Sequence, residues 1–130
     1  MSRRRISSGT PFEELASFSR AVVDGDMVYV SGTTGMDRET GGFPADAAAQ
    51  ARLALGHVEA ALGEAGAGLA DVLRVVVYIA DRADLMPVCE AVGAAFAGIL
   101  PANTTVIAAL ALPEMKVEIE VTARVGSASR

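Results

Sequence analysis

Apolar and polar positions along this chain alternate with two periods, and each period marks one kind of element. Near the C-terminus the alternation is two-fold. Glu118, Glu120, Thr122 and Arg124 fall on one side, and Ile119, Val121, Ala123 and Val125 on the other. Successive strand residues face opposite ways, so this is the pattern of a half-buried strand. Residues 72–79 are a β-branched run without a breaker, bounded by Asp71 and Asp81, and predict a second strand. Thr104 through Ala108 predict a third. Residues 12–31 read as a hairpin, entering a turn at Asp24-Gly25-Asp26 through Arg20–Val23 and leaving it through Met27–Ser31.

Two stretches carry the helical period instead. Asp46 is placed to cap a helix with apolar positions at Leu53, Val58, Leu62 and Ala65, closed by Gly66 and Gly68. Asp84 precedes a second stripe of Leu85, Val88, Cys89, Val92, Phe96 and Ile99. Pro87 falls in its first turn, where a missing N–H costs little, and Pro101 ends the path. The order β-β-α-β-α-β-β predicts an α+β sandwich, a sheet with two helices packed on one face. The other sheet face stays partly apolar and is expected to be solvated or to lie under neighbouring subunits. Residues 1–130 read as one domain, with no linker or repeat.

Composition sharpens this picture in three ways. Hydrophobic residues make up 52% of the 130, a high share that points to a second buried surface and so to an oligomer. The formal net charge of −5 and the scarcity of aromatics leave nucleic acid no broad footprint or stacking platform. One cysteine and one histidine give neither an internal disulfide nor a zinc site, so no metal or cofactor is expected and a reduced cytoplasmic setting is the default. No apolar run approaches the ~20 residues that cross a bilayer. Arg3-Arg4-Arg5 lead into Ser7, Ser8 and Gly9 rather than an apolar segment, and read as a frayed, solvated tail. Glycine-rich phosphate loops of the common kinds are absent.

Five segments, in one order, resemble the RidA (YjgF-type) family: Phe18–Val22, Val28–Gly32, Asp71–Asp81, Pro101–Val106 and Lys116–Ala123. The resemblance spans nearly the whole chain, about residues 6–125. It implies a chorismate-mutase-like α+β fold with a mixed sheet, assembled as a homotrimer with a cleft between subunits. Family deaminases hydrolyse short-lived imines and enamines such as 2-aminoacrylate to a 2-keto acid and ammonia. On that resemblance Glu118 matches the glutamate that positions or activates water. Ser31 and Gly32 match the strand end that helps hold substrate, although Thr33 follows where glutamine is familiar. Phe18 stands where a tyrosine usually lines the cleft, and Thr105 where several members place cysteine. Asn103 replaces the arginine that grips the substrate carboxylate.

That last replacement removes a permanent charge and a fixed fork of donors. A charge-assisted hydrogen bond contributes about 1.5–3 kcal/mol, so a 2-imino acid is expected to bind at least about tenfold more weakly. Arg20, Arg52, Arg74 and Arg82 are other cations, and none is assigned to the cleft.

Each candidate also has a plain reading. Glu118 fits a polar strand face, Asn103 a strand entry, Thr104 and Thr105 simple strand formers. Phe18 and Tyr29 fit packing, Cys89 a small buried hydrophobe, and His57 a helix-surface or interface group titrating near pH 6.5. Ser31 lacks a nucleophile elbow and a nearby base. The functional expectation is a RidA-like hydrolase of a small imine, enamine or related carbonyl metabolite. The alternative is a non-catalytic homotrimer that binds a metabolite or partner, or whose cleft is filled by Phe18 and Met115. Ribonuclease activity, sometimes ascribed to the family, gains no support from the charge balance.

Overall fold

The computed structural model describes residues 3–129. Six strands form one mixed sheet: β1 (Arg4–Ile6), β2 (Ala21–Asp24), β3 (Met27–Thr34), β4 (Val72–Ile79), β5 (Ala102–Ile107) and β6 (Val117–Arg124). Their spatial order is β1-β2-β3-β6-β4-β5, with β4 and β5 parallel and the other neighbours antiparallel. Helix α1 (Pro11–Leu15) precedes β2, α2 (Ala47–Glu64) carries the chain from β3 to β4, and α3 (Leu85–Ala95) carries it from β4 to β5. Both crossovers step the same way across the sheet. Right-handed connection therefore puts α2 and α3 on one face, the expected layering.

The core lies between that face and the helices. Strand β6 alternates as its sequence does, with Val117, Ile119 and Ala123 fully buried between half-exposed acids and polar residues. Helix α2 offers a seam of Ala47, Ala51, Ala54, Val58, Ala61 and Leu62, small enough for close approach to the strands. Asp46 caps it as expected, accepting from the Ala49 N–H at 2.9 Å. Fully buried Gln50 was not singled out by the sequence. Its amide donates to the carbonyls of Pro44 (2.7 Å) and Glu114 (2.9 Å) and accepts from Lys116 N (2.9 Å), stapling the helix start to two loops.

Gly35 lets this helix start sit against the end of β3. A Cβ there would lie 2.3 Å from the Gln50 carbonyl oxygen and 2.6 Å from its Cα. Backbone cannot swing aside as a side chain can. Gly35→Ala is expected to cost roughly 1–3 kcal/mol, read as a lower urea midpoint at unchanged slope.

Several local expectations are corrected. Residues 11–15 are helical rather than part of a hairpin. Pro11 opens the helix and the Glu13 carboxylate reaches back to Thr10 N (3.3 Å), a capping arrangement visible in Thr10-Pro11-Phe12-Glu13. The arginine-rich start is no frayed tail beyond Arg3. Arg4 to Ile6 pair with β2, because Ile6 buries its side chain while the arginines stay exposed along the sheet edge. Strand β5 begins at Ala102, two residues earlier than expected, and ends at Ile107. Cys89 is exposed, because Val88 and Val92 occupy the sheet-facing positions of α3. Tyr29 is 49% exposed on the helix-free face, so it packs little within one chain. That face mixes Val76 and Tyr78 with Arg74, Glu120 and Thr122. Tyr78 donates to Glu120 (2.5 Å) and Arg74 to Thr104 (3.0 Å).

Candidate functional site

The site begins with an irregularity in β3. Val30 pairs with Val121 of β6, but the next aligned pair is Thr33 with Ile119. Two residues, Ser31 and Gly32, thus stand opposite one, a β-bulge that re-aims the strand. Beyond it Thr34 pairs with Glu118, whose other cross-strand neighbour is Tyr78. The Glu118 carboxylate folds over the bulge, so a Cβ on Gly32 would lie 2.1 Å from its Oε1. Only glycine leaves that space to the carboxyl group.

Around this point opens a cavity of about 400 Å³. Glu118 and Gly32 reach it from the sheet, Phe18 and Phe12 from the α1 segment, and Met115 from the loop before β6. Arg20 lines it too. Its Nη1 donates to the Gly32 carbonyl and to Thr33 Oγ1, both at 2.9 Å, and its guanidinium lies 5.5 Å from the centre of the Phe18 ring. Behind it Glu13 Oε2 is 4.0 Å from Arg20 Nε. Glu13 is itself enclosed by donors from Ser7, Ser8 and Thr10.

Burial shapes the electrostatics. It raises the Glu118 pKa, and nearby Glu120 adds to the effect while Arg20 opposes it. The same loss of water lowers the Arg20 pKa, which Glu13 and Glu118 partly restore. His57 is half-buried on α2. Burial holds its pKa below the ordinary value even though Nε2 donates to the Met36 carbonyl at 2.8 Å.

The sequence-derived candidates divide into two groups. Phe18, Gly32 and Glu118 share the cavity just described. Ser31 sits in the bulge, but its hydroxyl donates to the Ser19 carbonyl (2.7 Å), fastening β3 to the segment before β2. Asn103 and Thr105 lie elsewhere. Their strand pairs in register with Val75 and Val77, on the helix-bearing side, and they line a second cavity of about 260 Å³ beside α3 with Cys89 and Phe96. Thr105 donates to Asn103 Oδ1 at 2.8 Å, and among the described residues the Asn103 NH2 group has no acceptor. One chain therefore carries the two groups apart.

Of the four other arginines weighed, Arg20 enters the Glu118 cavity. Arg52 lines a different surface hollow, and Arg74 bonds Thr104. Sequence reasoning missed Arg38, Phe43 and Glu13. The capping pattern at Thr10 could have found Glu13; nothing local marks Arg38. Among the described residues no cluster of three or more His, Cys, Asp or Glu is placed to hold a metal. No helix among them is long and apolar enough to cross a membrane.

Residues 9–125 match the family described as Endoribonuclease L-PSP. The chain is 34% identical over 99 residues to the 2-iminobutanoate/2-iminopropanoate deaminase of Escherichia coli, covering 74% of this chain and 77% of that protein. The crystal structure of Rv2704 from Mycobacterium tuberculosis, of the YjgF/YER057c/UK114 family, superposes with a TM-score of 0.87 at 44% identity, over 95% of this chain and 100% of that one. Escherichia coli TdcF with bound serine superposes at 0.78 with 30% identity, covering 93% of each.

Proposed function

This chain belongs to the RidA/YjgF/UK114 family, and from that premise we propose that it hydrolyses a small imine, enamine or related carbonyl compound, with weak or no standard 2-aminoacrylate activity. Homology to the family's deaminases supports imine and enamine handling in general. The observation that carries the finer reading is a half-buried Glu118 carboxyl, raised in pKa by burial, on the wall of a cavity floored by Gly32.

In this reading Glu118 takes a proton from water as its oxygen adds to the imine carbon. Glu118 hands that proton to the imine nitrogen, giving the carbinolamine, then takes the hydroxyl proton and passes it to the amino nitrogen as the carbon–nitrogen bond breaks, so that ammonia leaves and the carbonyl compound remains. A carboxylate with a raised pKa suits these transfers, since it is a stronger base than an ordinary glutamate. Asn103 and Thr105 belong to this site through a neighbouring copy in a homotrimer. Their amide and hydroxyl offer neutral hydrogen bonds where family deaminases offer a charged fork.

The test measures ammonia release from 2-aminoacrylate generated in place and from an uncharged imine. The natural chain is expected to turn over the uncharged imine and to leave 2-aminoacrylate nearly untouched. Asn103→Arg is expected to raise 2-aminoacrylate turnover at least about tenfold. Rapid 2-aminoacrylate turnover by the natural chain, or none on any uncharged imine, overturns the proposal.

A further inference from the structure

Within one chain the Glu118 cavity is lined largely by apolar and aromatic side chains. Its volume lies in the range of drug-sized ligand pockets, and Phe12, Phe18, Phe43, Leu112 and Met115 line it. One cation of its lining has no partner. Arg38 is exposed and, among the described residues, makes no ion pair or hydrogen bond, whereas Arg20 is held by Gly32, Thr33 and Glu13.

The loop carrying Arg38 is built. Asp37 N donates to the Gly42 carbonyl at 2.8 Å and Gly41 N to the Asp37 carbonyl at 2.7 Å. Asp37 Oδ1 accepts from Glu39 N (2.9 Å) and Thr40 N (3.3 Å), and His57 ties down Met36 just before. This closed turn presents Arg38 at the cavity without needing to order on binding. Arg38 follows Met36, which His57 holds, and its charge acts on Arg20 and His57, on that side of the cavity.

From this arrangement we infer that the cavity takes an aromatic or bulky apolar imine, enamine or carbonyl compound whose anionic group lies at the end remote from the reacting carbon and is held by Arg38. The inference rests on the hydrolase reading and refines its substrate. An anion displaced toward Arg38 gains a charge-assisted hydrogen bond, where Asn103 offers only a neutral one to an anion beside the reacting carbon. The aromatic walls take the body between.

Calorimetry with two product-like ketones tests it, 4-acetylbenzoate and uncharged acetophenone. The natural protein is expected to bind 4-acetylbenzoate at least about tenfold more tightly, a preference that shrinks with added salt. Arg38→Gln is expected to erase it and Arg38→Glu to reverse it. Equal affinities, or a preference that survives both variants, overturn the inference while Glu118-dependent ammonia release keeps the hydrolase reading standing. If neither ketone binds, the inference falls, and the hydrolase reading falls with it only where ammonia release is also absent.

Discussion

Glu118→Gln is expected to lower ammonia release from an uncharged imine by about 10²- to 10⁴-fold, the usual worth of a positioned proton-transfer group. The amide keeps the shape of the carboxyl group over Gly32 but neither takes nor returns the proton. In the natural chain burial raises the Glu118 pKa, Glu120 adds to it and Arg20 opposes it. The base form therefore appears only as pH climbs past the usual glutamate range, and the rate is expected to rise through that shifted value. The same shift has a sign for stability. A carboxyl whose folded pKa exceeds its unfolded one favours the folded state while protonated, and that contribution is lost as pH rises from the unfolded to the folded value. Glu118→Gln removes the burden of a buried charge, so it is expected to melt no lower than the natural chain at neutral pH. Unchanged ammonia release, measured alongside the melting curve, would sink the assignment of Glu118 as the proton carrier.

Glu13→Ala is the largest expected loss of stability. Burial alone would raise this carboxyl, yet hydrogen bonds from Ser8, Thr10 and Ser7 outweigh it and hold the pKa at about 2, against 4.5 unperturbed. Each unit is about 1.4 kcal/mol, so the folded chain gains about 3 kcal/mol from the ionised group at neutral pH. The contribution is complete above the unfolded pKa and is lost as pH falls from 4.5 toward 2. At pH 7 the variant is expected to melt roughly 10–15 °C lower. The gap should close steadily in acid, which a cavity effect would not reproduce. The Glu13 carboxylate also lies 4.0 Å from Arg20 Nε, so its loss leaves that buried guanidinium without its ion-pair partner. Equal melting of the two proteins at pH 7 would show that the cage contributes nothing.

How far the site was legible differs residue by residue. Glu118 stood out because a two-fold alternation fixes which side of a strand it faces, and because its segment resembles a known family. Gly32 stood out for the second reason alone. Its physical reason is the bulge, where two residues of β3 oppose one of β6, and no pattern within either strand encodes that mismatch. Asn103 was marked as a departure from arginine by the family resemblance, not by any pattern in its strand. The question of which other cation reaches the Glu118 cavity was open in the sequence, and the structure places Arg20 and Arg38 there. Cys89 shows the opposite failure: it shares a helical stripe with Val88, yet only one of two adjacent positions can face the sheet.

By itself the sequence determined the two long helices, the strands β2 to β6 and their layering, but not α1 or β1. Period and capping are local properties, and two crossovers of one hand leave both helices on one face. The tertiary structure alone decided what meets at the cavity. Arg20, Gly32, Arg38 and Glu118 come from four separate stretches, and their proximity follows from strand order β3-β6-β4 and a single bulge. Pairing between distant strands is set by how the whole core packs, so no window of the chain contains it.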